Sequence, residues 1–351
     1  MRELGYKRFS ENTHARGQQS GQRLSCQFEL TFACGLHCRH CYSDCYNQPE
    51  FIKKELDTAR IKLLVNKIRR QGVIWLCFTG GDPLIREDFG EIYAYAKQKG
   101  FIVAVFTSGY SLNKETIEIF KRLPPFVIEL TLNAVDENFF ERISGVKGSF
   151  QRVMGAVSIL RKEKLPLKIK TMVTRDNIGH VGKIKKFLAR HGLDFYPDFH
   201  LFARLNGDLT PCKLRVPPAM LLRQDGRKPK ITDVCSGKTP SIIKQNELFQ
   251  CVVRSTDGFR VDPYGNLFLC HGLRNGGYSV NILKQPINLA FQRLKPLLST
   301  REFLTDSQCA ACSVRYDCLN CPGRAYLETG DMESPSEYYC ELTKMLGGIK
   351  G

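Results

Sequence analysis

The chain has 351 residues, 42% apolar and 25% charged, which is enough to bury one large core or two ordinary ones. It holds no apolar run near the roughly 20 residues that span a bilayer, and its basic, polar N-terminus lacks the apolar stretch of a secretory signal. The formal net charge of +17 is spread over short runs such as KIRR, KIKK and GRKPK, which read as solvated faces, so it suits an anionic partner without pointing to nucleic acid.

Residues 1–25 form an N-terminal extension, and the acids Glu3 and Glu11 argue against a mitochondrial presequence, so a cytoplasmic protein is expected. From residue 26 apolar runs alternate with helix-period segments. Strands are expected at 27–32, 73–78, 101–106, 126–132, 167–173 and 194–202, with helical segments between them. Asp57 and Asn113 are candidate N-caps, and Gly72, Gly100 and Gly192 stand where left-handed C-caps belong. Six β/α units in series predict an α/β fold, a partial (β/α)6 TIM-like barrel over 26–203, with its active site at the C-terminal mouth of the strands. Residues 204–250 read as a bridging segment. A hairpin follows at Pro-Tyr-Gly-Asn, and 251–351 form a small cysteine-rich domain held more by ligands than by a core.

Fifteen cysteines in a reducing compartment are not read as disulfides. In FACGLHCRHCYSDC, residues 32–45, Cys34, Cys38 and Cys41 are separated by three and then two residues, a metal-ligand spacing just beyond the first strand. A structural metal site is closed by four protein ligands, whereas a catalytic one keeps a position open. Three thiolates suit the second case. Cys45, His37 and His40 beside them read as bystanders or supporting residues.

These cysteines resemble the radical S-adenosylmethionine (SAM) superfamily, and further landmarks follow in order. FTGGDPL at the end of the second strand resembles the family's GGE motif, implying that Gly80, Gly81 and Asp82 face the methionine amino group of SAM. FTSG at the third strand makes Ser108 the ribose candidate. Thr131 and Asn133 match polar positions facing SAM, and Lys170 is a looser match for its carboxylate. The C-terminal part resembles the SPASM extension, which carries two auxiliary clusters. That resemblance implies Cys251, Cys270 and Cys321 for the first, with Cys235 as a further ligand and Cys212 or none as alternatives. It implies Cys309, Cys312, Cys318 and Cys340 for the second. Two residues separate Cys318 from Cys321 where the family usually has three, and a zinc ribbon of Cys309, Cys312, Cys318 and Cys321 is the structural alternative.

The resemblance implies a radical SAM enzyme with a SAM-binding [4Fe–4S] cluster, two auxiliary [4Fe–4S] clusters and SAM, cleaving SAM to a 5′-deoxyadenosyl radical. The expected substrate is a ribosomally made peptide, with a separate leader-binding protein as possible partner and flavodoxin or ferredoxin as electron donor. The alternatives are an anionic small molecule such as a tetrapyrrole carboxylate, a sulfatase-type maturase, and a non-catalytic metal-binding module. His271, following Cys270 where sulfatase maturases tend to have Asp, argues against the sulfatase-type maturase and reads as a hydrogen-bond donor near a cluster. No catalytic side chain is named by the sequence, and no membrane partner is expected.

Overall fold

Strand alternation and helix caps dictate the first two-thirds of the architecture. The structure, a computed structural model, describes residues 5–221, 247–249, 258–275, 277–298, 301–315 and 318–347. After α1 (Tyr6–Ser20) come β1 (Ser25–Thr31), α2 (Pro49–Ile52), α3 (Thr58–Arg70), β2 (Trp75–Gly80), α4 (Phe89–Gln98), β3 (Ile102–Thr107) and α5 (Lys114–Arg122). Next are β4 (Val127–Thr131), α6 (Glu137–Ser144), α7 (Ser149–Lys162), β5 (Leu167–Met172), α8 (Val181–Arg190), β6 (Phe195–Asp198) and α9 (Pro218–Leu221). The remaining elements are β7 (Gly258–Val261), β8 (Asn266–Phe268), β9 (Ser279–Asn281), α10 (Ile287–Leu298), α11 (Pro322–Thr329) and α12 (Glu337–Gly347).

The six expected β/α units are present as a partial barrel of parallel strands in the order β6-β5-β4-β3-β2-β1. Asp57 caps α3 by accepting from the Arg60 amide at 2.8 Å, and Asn113 caps α5 from Thr116 at 2.8 Å. Gly72, Gly100 and Gly192 take the left-handed conformation after their helices. On β1, Phe28 and Leu30 are fully buried in the core shared with α3 and α4, while Gln27, Glu29 and Thr31 alternate to the barrel interior.

Three features depart from expectation. The N-terminal extension holds a helix: α1 lies across the bottom of the barrel, with His14 stacked on Trp75 at 4.5 Å and the Trp75 indole donating to the Tyr6 hydroxyl at 3.0 Å. The sixth strand is shorter than 194–202, because the Asp198 carboxylate accepts from the His200 amide at 2.9 Å and turns the chain away. The C-terminal segment also does not stand apart. The expected hairpin forms, but its first strand, β7, pairs in parallel with β1, so the sheet continues β1-β7-β8-β9. One core cluster runs from Cys26 through Leu294 and Leu298 to Met332.

This junction is locked inside the barrel. Arg274 grips Glu29 of β1 with two parallel hydrogen bonds of 2.6 and 2.7 Å, and its guanidinium lies 4.3 Å from the Phe268 ring centre. Both side chains are nearly inaccessible, 8% and 3% exposed, so each charge depends on the other for solvation. No helix among the described residues is long and apolar enough to cross a membrane.

Removing one partner of this pair strands a buried charge. Glu29→Gln is expected to lower unfolding stability by about 3–5 kcal/mol, and Glu29→Met with Arg274→Met to recover most of it, as measured by urea titration.

Candidate functional site

The loop after β1 carries Cys34, Cys38 and Cys41 at the mouth of the barrel, and the chain around it is built to hold that loop still. The Asn47 side chain accepts from the Cys34 amide at 3.1 Å and donates to the Cys34 carbonyl at 3.0 Å. The His37 and Arg39 amides donate to the carbonyls of Ser144 and Ile143 at 2.8 and 3.3 Å. Gly145 ends α6 in the left-handed conformation, and a Cβ there would come within 2.9 Å of the His37 carbonyl. The Ile-Ser-Gly run, to which the sequence assigned no role, is thus the brace of the cysteine loop.

The three thiols sense one another. Burial pushes the Cys34 thiol up, Asp82 adds to it, and charge on Cys41 and Cys38 adds further. Cys38 is raised first by burial and then by Cys41, and Cys41 is raised by burial against hydrogen bonds from Ser43. Thiols packed in this way are poor thiolates alone and need cationic compensation. A cluster binding three of them supplies that compensation and keeps one iron open, so the donor set fits. His40 is half-buried, desolvation pushes its pKa down to about 4, and its Nε2 lies 3.5 Å from the Asn133 amide.

Of the positions predicted to face SAM, the glycine pair lies directly against this loop. The Gly81 amide donates to the Thr31 carbonyl at 2.7 Å and the Asp82 amide to the Ala33 carbonyl at 2.8 Å. Gly80 has φ of +135°, and a Cβ on Gly81 would sit 2.4 Å from the carbonyl oxygens of Ala33 and Phe32. Glycine is required here so that the end of β2 can touch the backbone leading to Cys34.

Asp82 and Ser108 are committed to each other. The fully buried Asp82 carboxylate accepts from the Ser108 hydroxyl, from Thr107 Oγ1 at 2.7 Å and from the Leu84 amide at 3.1 Å. Burial pushes its pKa up, opposed by the Ser108 and Thr107 hydroxyls. Asp82 thus ties the end of β2 to the end of β3. Asn133 accepts from the Met172 amide at 2.9 Å, linking the ends of β4 and β5.

Thr131 lies opposite Lys170 in register. Lys170 pairs with Asp198 of β6 at 2.8 Å, and Asp198 also holds His200 Nδ1 at 2.9 Å. Burial disfavours the Lys170 charge, but Asp198 and Glu129 outweigh it and hold the ammonium above the usual lysine value. Lys170 is thus engaged inside the barrel.

Sequence reasoning singled out His271 but passed over Glu29, Arg274 and Tyr42, with which it joins the two halves. His271 is half-buried, with its ring edge-on to Tyr42 at 4.3 Å and to Phe202 at 5.3 Å, and its Nδ1 is 3.2 Å from an Arg274 nitrogen. Burial, then Arg274, pushes its pKa well down. Tyr42 follows Cys41 and His271 follows Cys270, so the two cysteine-bearing loops meet through these rings. Glu29 was the available signal: the single acid among the inward positions of β1.

The C-terminal cysteines divide into two neighbourhoods. A Cβ on Gly323 would sit 2.4 Å from Cys270 Sγ, and one on Gly272 would sit 2.1 Å from the Gly323 carbonyl, so the Cys270 turn packs on the segment that begins α11 at Cys321. Cys309 is pushed up to about 11 by burial and then by Cys340, Cys318 and Cys312, and Cys340 is raised by burial, Cys318 and Cys312. Cys212 is half-buried and pushed up to about 11 by burial, with Arg215, Glu328 and Arg324 as charged neighbours. Cys235 and Cys251 lie outside the described residues. Among the described residues no group of three or more His, Cys, Asp or Glu is gathered closely enough to hold a single metal ion.

Residues 28–188, which carry the cysteine loop and the strands of the barrel up to β5, match the Radical SAM superfamily model, so that segment is a Radical SAM domain. It is similar to the AdoMet-dependent heme synthase of Methanosarcina barkeri, 25% identical over 89% of this chain and 95% of that protein. The AdoMet-dependent heme synthase of Nitratidesulfovibrio vulgaris is 30% identical over 47% of this chain and 44% of that protein. In fold it is similar to Streptococcus suis SuiB bound to precursor peptide SuiA, with a TM-score of 0.67 at 14% identity over 97% of this chain and 82% of SuiB. It is likewise similar to anSMEcpe with bound AdoMet, with a TM-score of 0.64 at 16% identity over 93% of this chain and 96% of the other.

A methyl group at position 81 tests the contact between the glycine pair and the loop. Gly81→Ala is expected to weaken SAM binding by roughly tenfold or more and to reduce iron retained after anaerobic reconstitution, with far-UV circular dichroism unchanged.

Proposed function

We propose that this radical SAM enzyme acts on a carboxylate-bearing tetrapyrrole or a closely similar anionic molecule. The observation that carries the reading is the relation to a heme synthase along 95% of that protein's length. The interior chemistry supports it: Lys168, Lys170 and Arg274 stand among Glu29, Glu129 and Asp198 in the barrel and its C-terminal extension. When bound, a [4Fe–4S] cluster and SAM supply a 5′-deoxyadenosyl radical that abstracts a hydrogen atom from an unactivated carbon.

The chain's own part is to hold and orient. Cys34, Cys38 and Cys41 would ligate the cluster, while Gly80, Gly81, Thr131 and Asn133 would line SAM. Asp82 and Ser108 would keep the ends of β2 and β3 together beneath SAM, and Lys170 would contribute positive charge to the substrate side. Cys251, Cys270 and Cys321 would hold one auxiliary cluster of a SPASM-type extension, with Cys235 as a further ligand. Cys309, Cys312, Cys318 and Cys340 would hold another. Flavodoxin or ferredoxin would deliver electrons.

A second reading keeps the fold and changes the substrate to a ribosomally made peptide, with leader recognition by the enzyme body or a separate protein. SuiB, which shares this fold, is bound to a precursor peptide.

Incubation of reduced, reconstituted enzyme with SAM, a propionate-bearing iron tetrapyrrole and a one-electron acceptor is expected to release 5′-deoxyadenosine and carbon dioxide, the propionate becoming a vinyl group as one hydrogen atom passes to the deoxyadenosyl carbon and one electron to the acceptor. Loss of two hydrogens from an adjacent-gene peptide, with the tetrapyrrole unchanged, would transfer the assignment to the second reading. The Cys34→Ala, Cys38→Ala, Cys41→Ala variant is expected to hold about four fewer irons per chain and to form no 5′-deoxyadenosine.

A further inference from the structure

A closed barrel fills its interior with layers of branched side chains, but the lower interior of this one is not filled. A cavity of about 440 Å³ lies at the N-terminal ends of the strands, opposite the mouth that carries the cysteine loop. It stays open because the residues turned into it are small: Ser25, Cys77, Ala104 and Gly258. One wall is apolar and partly aromatic, with Trp75, Ile102 and Phe126, and α1 closes the end through His14 and its stack on Trp75. The aromatic floor continues outward, as Tyr6 packs on Phe126 at 4.6 Å.

The opposite wall carries a cation. Arg260 of β7 donates through Nε to the Gln27 side chain at 2.9 Å and through Nη1 to the Leu269 carbonyl at 3.2 Å. Both acceptors are neutral, and no carboxylate forms an ion pair with Arg260 among the described residues. The other interior cations of this region are matched: Arg274 by Glu29 and Lys170 by Asp198. A guanidinium held in place by neutral groups, beside a space lined on its far side by rings, is an anion-binding arrangement with an apolar neighbour.

We propose that this cavity is a binding site, separate from the radical centre, for a small monocarboxylate with a flat apolar or aromatic body. The carboxylate meets Arg260 and the Gln27 amide, and the body lies against Trp75, Ile102 and Phe126. Cys77 contributes a small polarisable surface rather than a nucleophile, because burial pushes its thiol well up, with Glu129 adding to the rise.

Trp75 is the single tryptophan of the chain, so its emission reports on the cavity directly. Full-length reconstituted enzyme is titrated with phenylacetate and, in parallel, with uncharged phenylacetamide. The expected result is a saturable change in emission with phenylacetate binding at least roughly tenfold more tightly than the amide. Arg260→Gln should remove that preference while leaving the thermal transition in place. Ala104→Phe, which fills the cavity, should abolish the response to both compounds while SAM-dependent 5′-deoxyadenosine formation persists. Equal affinity for acid and amide, an acid preference retained in Arg260→Gln, or a response that survives Ala104→Phe overturns the proposal. None of these readouts depends on which substrate the radical centre uses.

Discussion

The exposed edge of β1 is the constraint around which the molecule is arranged. A barrel that stops at six strands leaves a row of unpaired amides and carbonyls at that edge, and such an edge is unstable unless it is covered. Here β7 covers it from the same chain, in parallel register from Ser25 opposite Gly258 to Phe28 opposite Val261. The Glu29–Arg274 pair then fixes that register from inside the barrel, where a slip by one residue would bury two unpaired charges. Because β7 is followed directly by the hairpin and Cys270, covering the edge also delivers the C-terminal cysteines to the barrel. The Tyr42–His271 contact is the outcome: the residues after Cys41 and Cys270 touch across the seam.

The mouth of the barrel around the cysteine loop is organised by backbone contacts more than by side chains aimed at a ligand. The cysteine loop hangs between the glycine pair on β2 and the Ile143–Gly145 brace after α6, with Asn47 closing it from behind. Asp82 spends its carboxylate on tying β2 to β3, and Asn133 spends its amide oxygen on β5. Such groups set the spacing between strand ends, and that spacing fixes where a ligand at the mouth meets backbone rather than side chain. Lys170 follows the same pattern, since Asp198 holds its ammonium in place and keeps it charged despite burial.

Charge inside the barrel is divided between its two ends. Toward the mouth, cations and carboxylates are matched within hydrogen-bonding distance, which lowers the cost of burying them. At the bottom, Arg260 rests on neutral acceptors next to an unfilled space, and the N-terminal helix lies over it. The basic character of the chain as a whole, +17 by count, is therefore not a uniform surface property. Part of it is placed in the interior, where a single positive group has far more influence on a bound anion than a solvated lysine does.

Local signals in the sequence were sufficient for whatever depends on neighbours a few residues away. The strand alternation, the caps at Asp57 and Asn113, the left-handed glycines after helices and the Pro-Tyr-Gly-Asn hairpin are all encoded within short windows, because backbone sterics and hydrogen bonding act at that range. The spacing of Cys34, Cys38 and Cys41 was legible for the same reason, and so was the order of polar residues at successive strand ends. Contacts between distant segments were not legible. The pairing of β7 with β1, the choice of Arg274 as the partner of Glu29, the engagement of Lys170 by Asp198 and the packing of Cys270 on Gly323 join residues with no shared local pattern. A helix such as α1, polar by composition, also became definable only once the ring of Trp75 was available for His14 and Tyr6 to pack against. Local sequence determined the strands, helices, caps and cysteine spacing of this protein. Tertiary structure decided which charges are paired and which cavity remains, because burial depends on what the rest of the chain brings alongside.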